Sequence, residues 1–149
     1  MKNPLRSSQD YESFLYSLAD QFPSIQNSTL ALVRRGASLA RVSSELLFAH
    51  GFRVVVRERV LFDRWPGIID CCGYEVWHGA EKRRWYDCQP HPDDPGLQST
   101  HPHHKHVPPD IKHNRIPAPG MSFAQPNLPV LIQEIEALLN QTSSGPTSY

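Results

Sequence analysis

The sequence predicts an α+β domain: an antiparallel sheet of about five strands in a meander, a helix at each end, and a long, ordered, proline- and histidine-rich loop. Three observations carry this expectation. From Ser28 onward the residues become β-branched or aromatic with a period of two, and breaks fall at Gly36, Gly51, Pro66-Gly67 and His78-Gly79. Apolar residues at helical spacing flank that run at both ends of the chain. Ten of the 14 prolines and six of the eight histidines lie between Pro90 and Pro129.

Tyr11, Phe14, Leu15, Leu18 and Phe22 recur at three- and four-residue spacing, which predicts a helix from about Asp10 to Phe22. Ser7, Ser8 and Asp10 are its candidate caps, and Pro23 stops it. Strands are expected from Thr29 to Arg35, Leu39 to His50, Phe52 to Phe62, Ile68 to His78 and Lys82 to Gln89. Their connections are too short for a crossover helix, so neighbours run antiparallel. Along the third strand Arg53, Val55, Arg57, Arg59 and Leu61 alternate with Val54, Val56, Glu58, Val60 and Phe62, giving one basic and one apolar face. Glu58 breaks the apolar face. It needs either an ion pair with an arginine of a neighbouring strand or a role as a site carboxylate, shared with Glu75 or Asp70.

Beyond Gln89 the proline density is expected to forbid regular ladders and long helices. Ile111, Ile116, Met121 and Phe123 nevertheless predict an ordered excursion, folded back over a sheet face. Asn127 reads as an N-cap with Pro129 in the first turn, and Val130, Leu131, Ile135, Leu138 and Leu139 form the stripe of a closing helix that ends at Asn140 and packs on the sheet. The expected organisation is one domain over residues 1–140 and a flexible tail over 141–149.

Fifteen Lys+Arg balance fifteen Asp+Glu, and the pI is about 7.1. This removes the bulk electrostatics of a protein that coats nucleic acid or anionic lipid, so any RNA contact is local. No apolar run approaches the roughly 20 residues of a membrane span, and no apolar signal core follows the first residues, so no membrane partner and a cytoplasmic location are expected. Cys71, Cys72 and Cys88 fit neither a disulfide framework nor a zinc motif and read as reduced thiols.

The densest chemistry lies in Thr100-His101-Pro102-His103-His104-Lys105-His106, after Trp85-Tyr86-Asp87 and Pro90-His91-Pro92. Imidazoles in different environments serve as general base and general acid near neutral pH, and a nearby cation stabilises developing phosphate charge. That suits metal-free RNA cleavage, in which the 2′-hydroxyl attacks the adjacent phosphorus. The candidate catalytic set is Asp87, His91, His103, His104, Lys105 and His106, with Lys105 on the phosphate and no cofactor. Two other readings stand beside it: a zinc or nickel site on His101, His103, His104 and His106, with Asp87 able to add a carboxylate, and histidines that satisfy loop backbone where no ladder exists. From Arg34 to Arg84 there are ten Lys+Arg against six Asp+Glu, so Arg57, Arg59, Arg84, Trp85 and Tyr86 are candidates for holding single-stranded RNA by charge and stacking.

Tyr86-Asp87-x-x-Pro90-His91, followed by Pro102-His103-His104-Lys105-His106, resembles the signature of TumE-type toxins of bacterial toxin-antitoxin systems. The stretch from Tyr74-Glu75-Val76-Trp77 to Pro126-Asn127-Leu128 is similar to a cyanobacterial branch of that family, and the likeness extends from about Ser28 to Leu139. The commoner family form reads Arg-Tyr-Asp-Asn-Ala-Pro-His-His. Here Trp85 precedes Tyr86, Cys88 and Gln89 replace Asn-Ala, and Pro92 replaces the second His, at the cost of a guanidinium and an imidazole. The resemblance implies a small type II toxin that acts on RNA or translation and is neutralised by a cognate antitoxin protein. The alternative is a non-enzymatic protein-binding or metal-binding module. Open edge strands leave room for a homodimer.

Overall fold

The computed structural model describes residues 3–87, 103–108, 115–118 and 120–143. The N-terminal helical stripe divides into α1 (Ser8–Tyr16) and α2 (Leu18–Gln21), with the break at Ser17. Ser7 caps α1 by accepting a hydrogen bond from the Asp10 amide through its side chain at 3.0 Å. Tyr11, Leu15 and Leu18 are buried, and Phe14 and Phe22 pack beside them. Ser7→Ala leaves that amide without its acceptor and is expected to cost about 1 kcal/mol of stability, read from urea melts.

Among the described residues the sheet has eight strands where about five were expected: β1 (Ile25–Ser28), β2 (Ala31–Arg35), β3 (Leu39–Phe48), β4 (Phe52–Leu61), β5 (Ile68–His78), β6 (Glu81–Asp87), β7 (His104–His106) and β8 (Arg115–Pro117). Every pairing is antiparallel. The order is β1-β3-β4-β5-β6-β7-β8, with β2 also on β3 beside β1. The alternation read along the third strand holds: Val54, Val56, Glu58 and Val60 are buried, whereas Arg57 is exposed. Gly36, at φ +76°, makes the tight turn between β2 and β3 in a conformation that a side chain would strain.

The proline-rich segment departs from expectation. Its described part extends the sheet at its edge, as β7 on β6 and β8 on β7, and Ala118, Met121 and Phe123 then pack on the core. Prolines space ladders without abolishing them. The run 103–107 contains none, and its middle three residues offer backbone groups to the open edge of β6. Pro117 sits in the edge strand, where proline is tolerated.

The closing helix α3 (Leu128–Ser143) begins after Asn127, whose carbonyl accepts from the Val130 and Leu131 amides at 3.1 and 3.4 Å. It runs three residues beyond the predicted end. Leu128, Leu131, Ile132 and Ile135 are buried in the same core as Val56, Tyr74, Val76 and Tyr86. The helices therefore cover one face of the sheet.

Glu58 lies in that core at 4% exposure, but no arginine reaches it. The Tyr11 and Tyr74 hydroxyls donate to its two carboxylate oxygens, and the Asn127 side-chain amide donates to the Tyr74 hydroxyl at 3.2 Å. The predicted arginines point to the other face, as strand alternation requires, so the ion-pair expectation is corrected. Of its two suggested co-carboxylates, Asp70 binds Arg59 and Glu75 faces Arg57 and Lys82. Burial raises the Glu58 carboxyl above its usual range, against the lowering effect of its two tyrosine hydrogen bonds. Burial, and next the neighbouring carboxylate, hold both tyrosines well above their ordinary range. Cys71 and Cys72 are free thiols on opposite faces, one exposed and one buried; Cys88 lies outside the described residues.

Candidate functional site

Register decides what meets on the face of the sheet opposite the helices. Arg57 pairs with Gly73, Gly73 with Asp87, and Asp87 with His104, so one row crosses β4, β5, β6 and β7. In the next row of that face, Trp85 pairs with His106. Strand alternation brings His104 and His106 to the same side, two residues apart, with Asp87 on the adjoining strand. His104 Nε2 lies 2.7 Å from Asp87 Oδ1, and His106 Nε2 lies 3.5 Å from Oδ2. The two rings are 5.0 Å apart, centre to centre. All three residues are buried, at 7%, 1% and 3% exposure for Asp87, His104 and His106.

Gly73 gives this row its shape. A Cβ there would come within 3.0 Å of an Arg57 guanidinium nitrogen, so the missing side chain lets Arg57 lie across β5, where it comes 3.9 Å from Glu75. Arg35, Arg41, Arg57, Arg59, Trp85 and Asp87 contribute to the lining of a concave cavity of about 690 Å³ on this face. Asp70 holds Arg59 through two hydrogen bonds at 2.9 and 2.8 Å. Trp85 is occupied on its π-faces: the His106 ring stacks 4.3 Å away, and the Lys82 ammonium sits 5.0 Å from its centroid.

The alternate residues of β6 and β7 face the opposite way. Tyr86 donates to Glu134 of α3, Lys105 reaches the same carboxylate at 3.4 Å, and Arg84 lies 3.6 Å from it. Burial raises the Glu134 carboxyl, with Arg84 acting in the other direction, whereas burial and then Arg84 lower the Lys105 amine. Glu134 thus fastens the backs of β6 and β7 to the helix, behind Asp87 and the two imidazoles.

The structure therefore divides the residues picked out from sequence. Asp87, His104 and His106 come together, and Arg57, Arg59 and Trp85 share their face. Lys105, Arg84 and Tyr86 stand on the helix side around Glu134, apart from Asp87, His104 and His106. His103 also turns away and packs on Phe123, with ring centres 4.4 Å apart. His91 and His101 lie outside the described residues. Sequence reasoning missed Gly73 and Glu134. Glu134 follows Leu131 by three residues and so flanks the apolar stripe of α3, a position from which a carboxylate reaches the sheet.

Chemically, the arrangement offers a carboxylate in contact with two imidazoles, an arginine in the same row, and a basic hollow beside them. The same Asp87, His104 and His106 present one ligand atom each within 4.8 Å of one another, a set able to hold a metal ion. Among the described residues, no helix is long and apolar enough to cross a membrane.

An antiparallel sheet with the described helices on one face, and Asp87, His104, His106 and several arginines on the other, defines the class: an α+β domain. The chain belongs to the Toxin TumE family, whose profile matches residues 15–139, most of its length, from α1 through α3. That makes it a member of a toxin family, with Asp87, His104 and His106 all inside the matched region. No curated protein and no solved structure matches the chain.

Proposed function

We propose that this protein is the toxin of a type II toxin-antitoxin system and that it cleaves RNA at the sheet face opposite the helices without a metal ion. The observation that carries the reading is the placement of Asp87 between two imidazoles, in one row with Arg57 and at the edge of a basic hollow. Asp87, which lines the hollow, takes the proton of a 2′-hydroxyl, with His104 against its back to support the change in charge. The hydroxyl oxygen bonds to the adjacent phosphorus and the bond to the 5′-oxygen breaks, leaving a 2′,3′-cyclic phosphate. His106, stacked on Trp85 of the hollow's lining, gives the departing 5′-oxygen its proton, and Arg57 carries the charge that grows on the phosphate. A cognate antitoxin is the protein partner that membership of the family makes plausible, and the cytoplasm is where such chemistry would meet RNA.

Purified without a histidine tag, the protein is expected to cut a mixed RNA in EDTA and to leave 2′,3′-cyclic phosphate ends. It is also expected to arrest bacterial growth when expressed alone. Intact RNA across diverse substrates, together with normal growth, would replace this reading with a non-enzymatic protein-binding module.

A further inference from the structure

We propose that Asp87, His104 and His106 form a site for one divalent first-row transition ion, zinc foremost, and that the bound ion switches off the RNA chemistry. The switching half rests on the function proposed above; the binding half rests on geometry alone.

The sheet itself builds the ligand set. A His-x-His pair on β7 places two imidazoles on one face, and the register of β6 sets a carboxylate directly opposite the first of them. Both Nε2 atoms approach the same carboxylate, one at each oxygen, and the three ligand atoms lie within 4.8 Å of one another. In a tetrahedral zinc site with bonds of about 2.0–2.1 Å, neighbouring ligand atoms are roughly 3.3 Å apart. The His104–Asp87 contact therefore opens slightly and the wider separation closes, changes that side-chain rotation accommodates.

The surroundings favour the same ion. Trp85 stacks on the His106 ring and fixes its plane. Lys105, between the two histidines, is tied from behind to Glu134, so the three-residue strand that carries both imidazoles is anchored to α3. Burial keeps competing water from the ligands. Asp87 borders the hollow, which supplies an entry path. Two nitrogens and one oxygen suit zinc, nickel, copper or iron(II); magnesium and calcium prefer all-oxygen shells. An ion here takes the Asp87 oxygen and the imidazole nitrogens that proton transfer uses, so ion and reaction exclude each other.

The test uses the full chain without a histidine tag, stripped with chelator and then exchanged into chelator-free buffer. Calorimetric titration with zinc chloride is expected to show one equivalent bound, cobalt(II) to give visible d–d bands, and magnesium chloride to give no binding. Asp87→Asn and His106→Gln are expected to weaken zinc by more than the roughly 10–100-fold that loss of an outer-shell partner costs. Zinc should raise the Tm of the parent protein and leave the variants' Tm unmoved, which controls for folding. One equivalent of zinc should stop RNA cleavage and EDTA should restore it. Absence of stoichiometric binding, or binding indifferent to both substitutions, overturns the site. Zinc bound through the triad with cleavage undiminished overturns the switch. Cleavage that requires the zinc overturns both the switch and the metal-free reaction while the site stands. If RNA stays intact with and without zinc, the proposed function and its switch fall together, and calorimetry still decides the site.

Discussion

Replacing His104 by Ala is expected to slow RNA cleavage by about 10²-fold or more and to abolish growth arrest. His104 Nε2 is 2.7 Å from the Asp87 carboxylate, and together they form the part of the row that must accept a proton. Without the imidazole, Asp87 accepts that proton with only the more distant His106 ring beside it, and the rate falls by the weight of acid-base catalysis. Removing a buried ring also costs packing, so the isosteric change Asp87→Asn supplies the comparison: it keeps the volume, removes the basic carboxylate, and is expected to lose as much activity. Arg34→Ala is the control. Arg34 pairs with Glu12 on the far side of the sheet's β2 edge, and its loss should leave the cleavage rate unchanged. Rates are measured on fractions shown folded by circular dichroism. A folded Asp87→Asn protein that cleaves at the parent rate would remove Asp87 from the mechanism.

Glu58→Ala is expected to cost about 4 kcal/mol of stability, the largest single-residue effect in the core. Two tyrosine hydroxyls, from α1 and β5, lose their acceptor at once, and each buried unsatisfied hydroxyl costs about 1–3 kcal/mol. The cavity adds to that. Tyr74 is also the acceptor for Asn127, so the loss reaches the start of α3. Urea melts give the value, and a change below about 1 kcal/mol would show that the network contributes little. The same residue makes stability depend on pH. Because its folded-state pKa is raised above the unfolded value of about 4.3, its ionisation is harder in the folded chain. The associated stability is fully present below that unfolded value and declines as pH rises through the higher folded one. Glu58→Gln cannot ionise, so the difference in unfolding free energy between parent and variant should drift against the parent as pH rises across this window. Melts of both proteins at several pH values read that drift.

Much of this molecule is legible without coordinates, because short-range rules suffice where a residue's surroundings are its own neighbours. The period of two along Phe52–Leu61 assigned the basic and apolar faces, Ser7 and Asn127 marked helix starts, and the family-like run through Tyr86-Asp87 and Pro102–His106 held the three residues that the sheet brings together. The prolines between Pro90 and Pro129 misled, since they were weighed as a density; what mattered was the proline-free interval holding His104, Lys105 and His106, which was long enough to pair. Glu58 was recognised as anomalous, but its partners were not, because Tyr11 is 47 residues away in sequence and reaches it only when α1 lies on the sheet. The site has the same character. Sequence offered Lys105, Tyr86 and four clustered imidazoles on equal terms with Asp87. Only the pairing of β6 with β7 decided that His104 and His106 face Asp87 while Lys105 and Tyr86 turn to Glu134. A register shift of one residue would have exchanged the two sets, since successive side chains of a strand point to opposite faces and the partner strand alone determines which face belongs to the site.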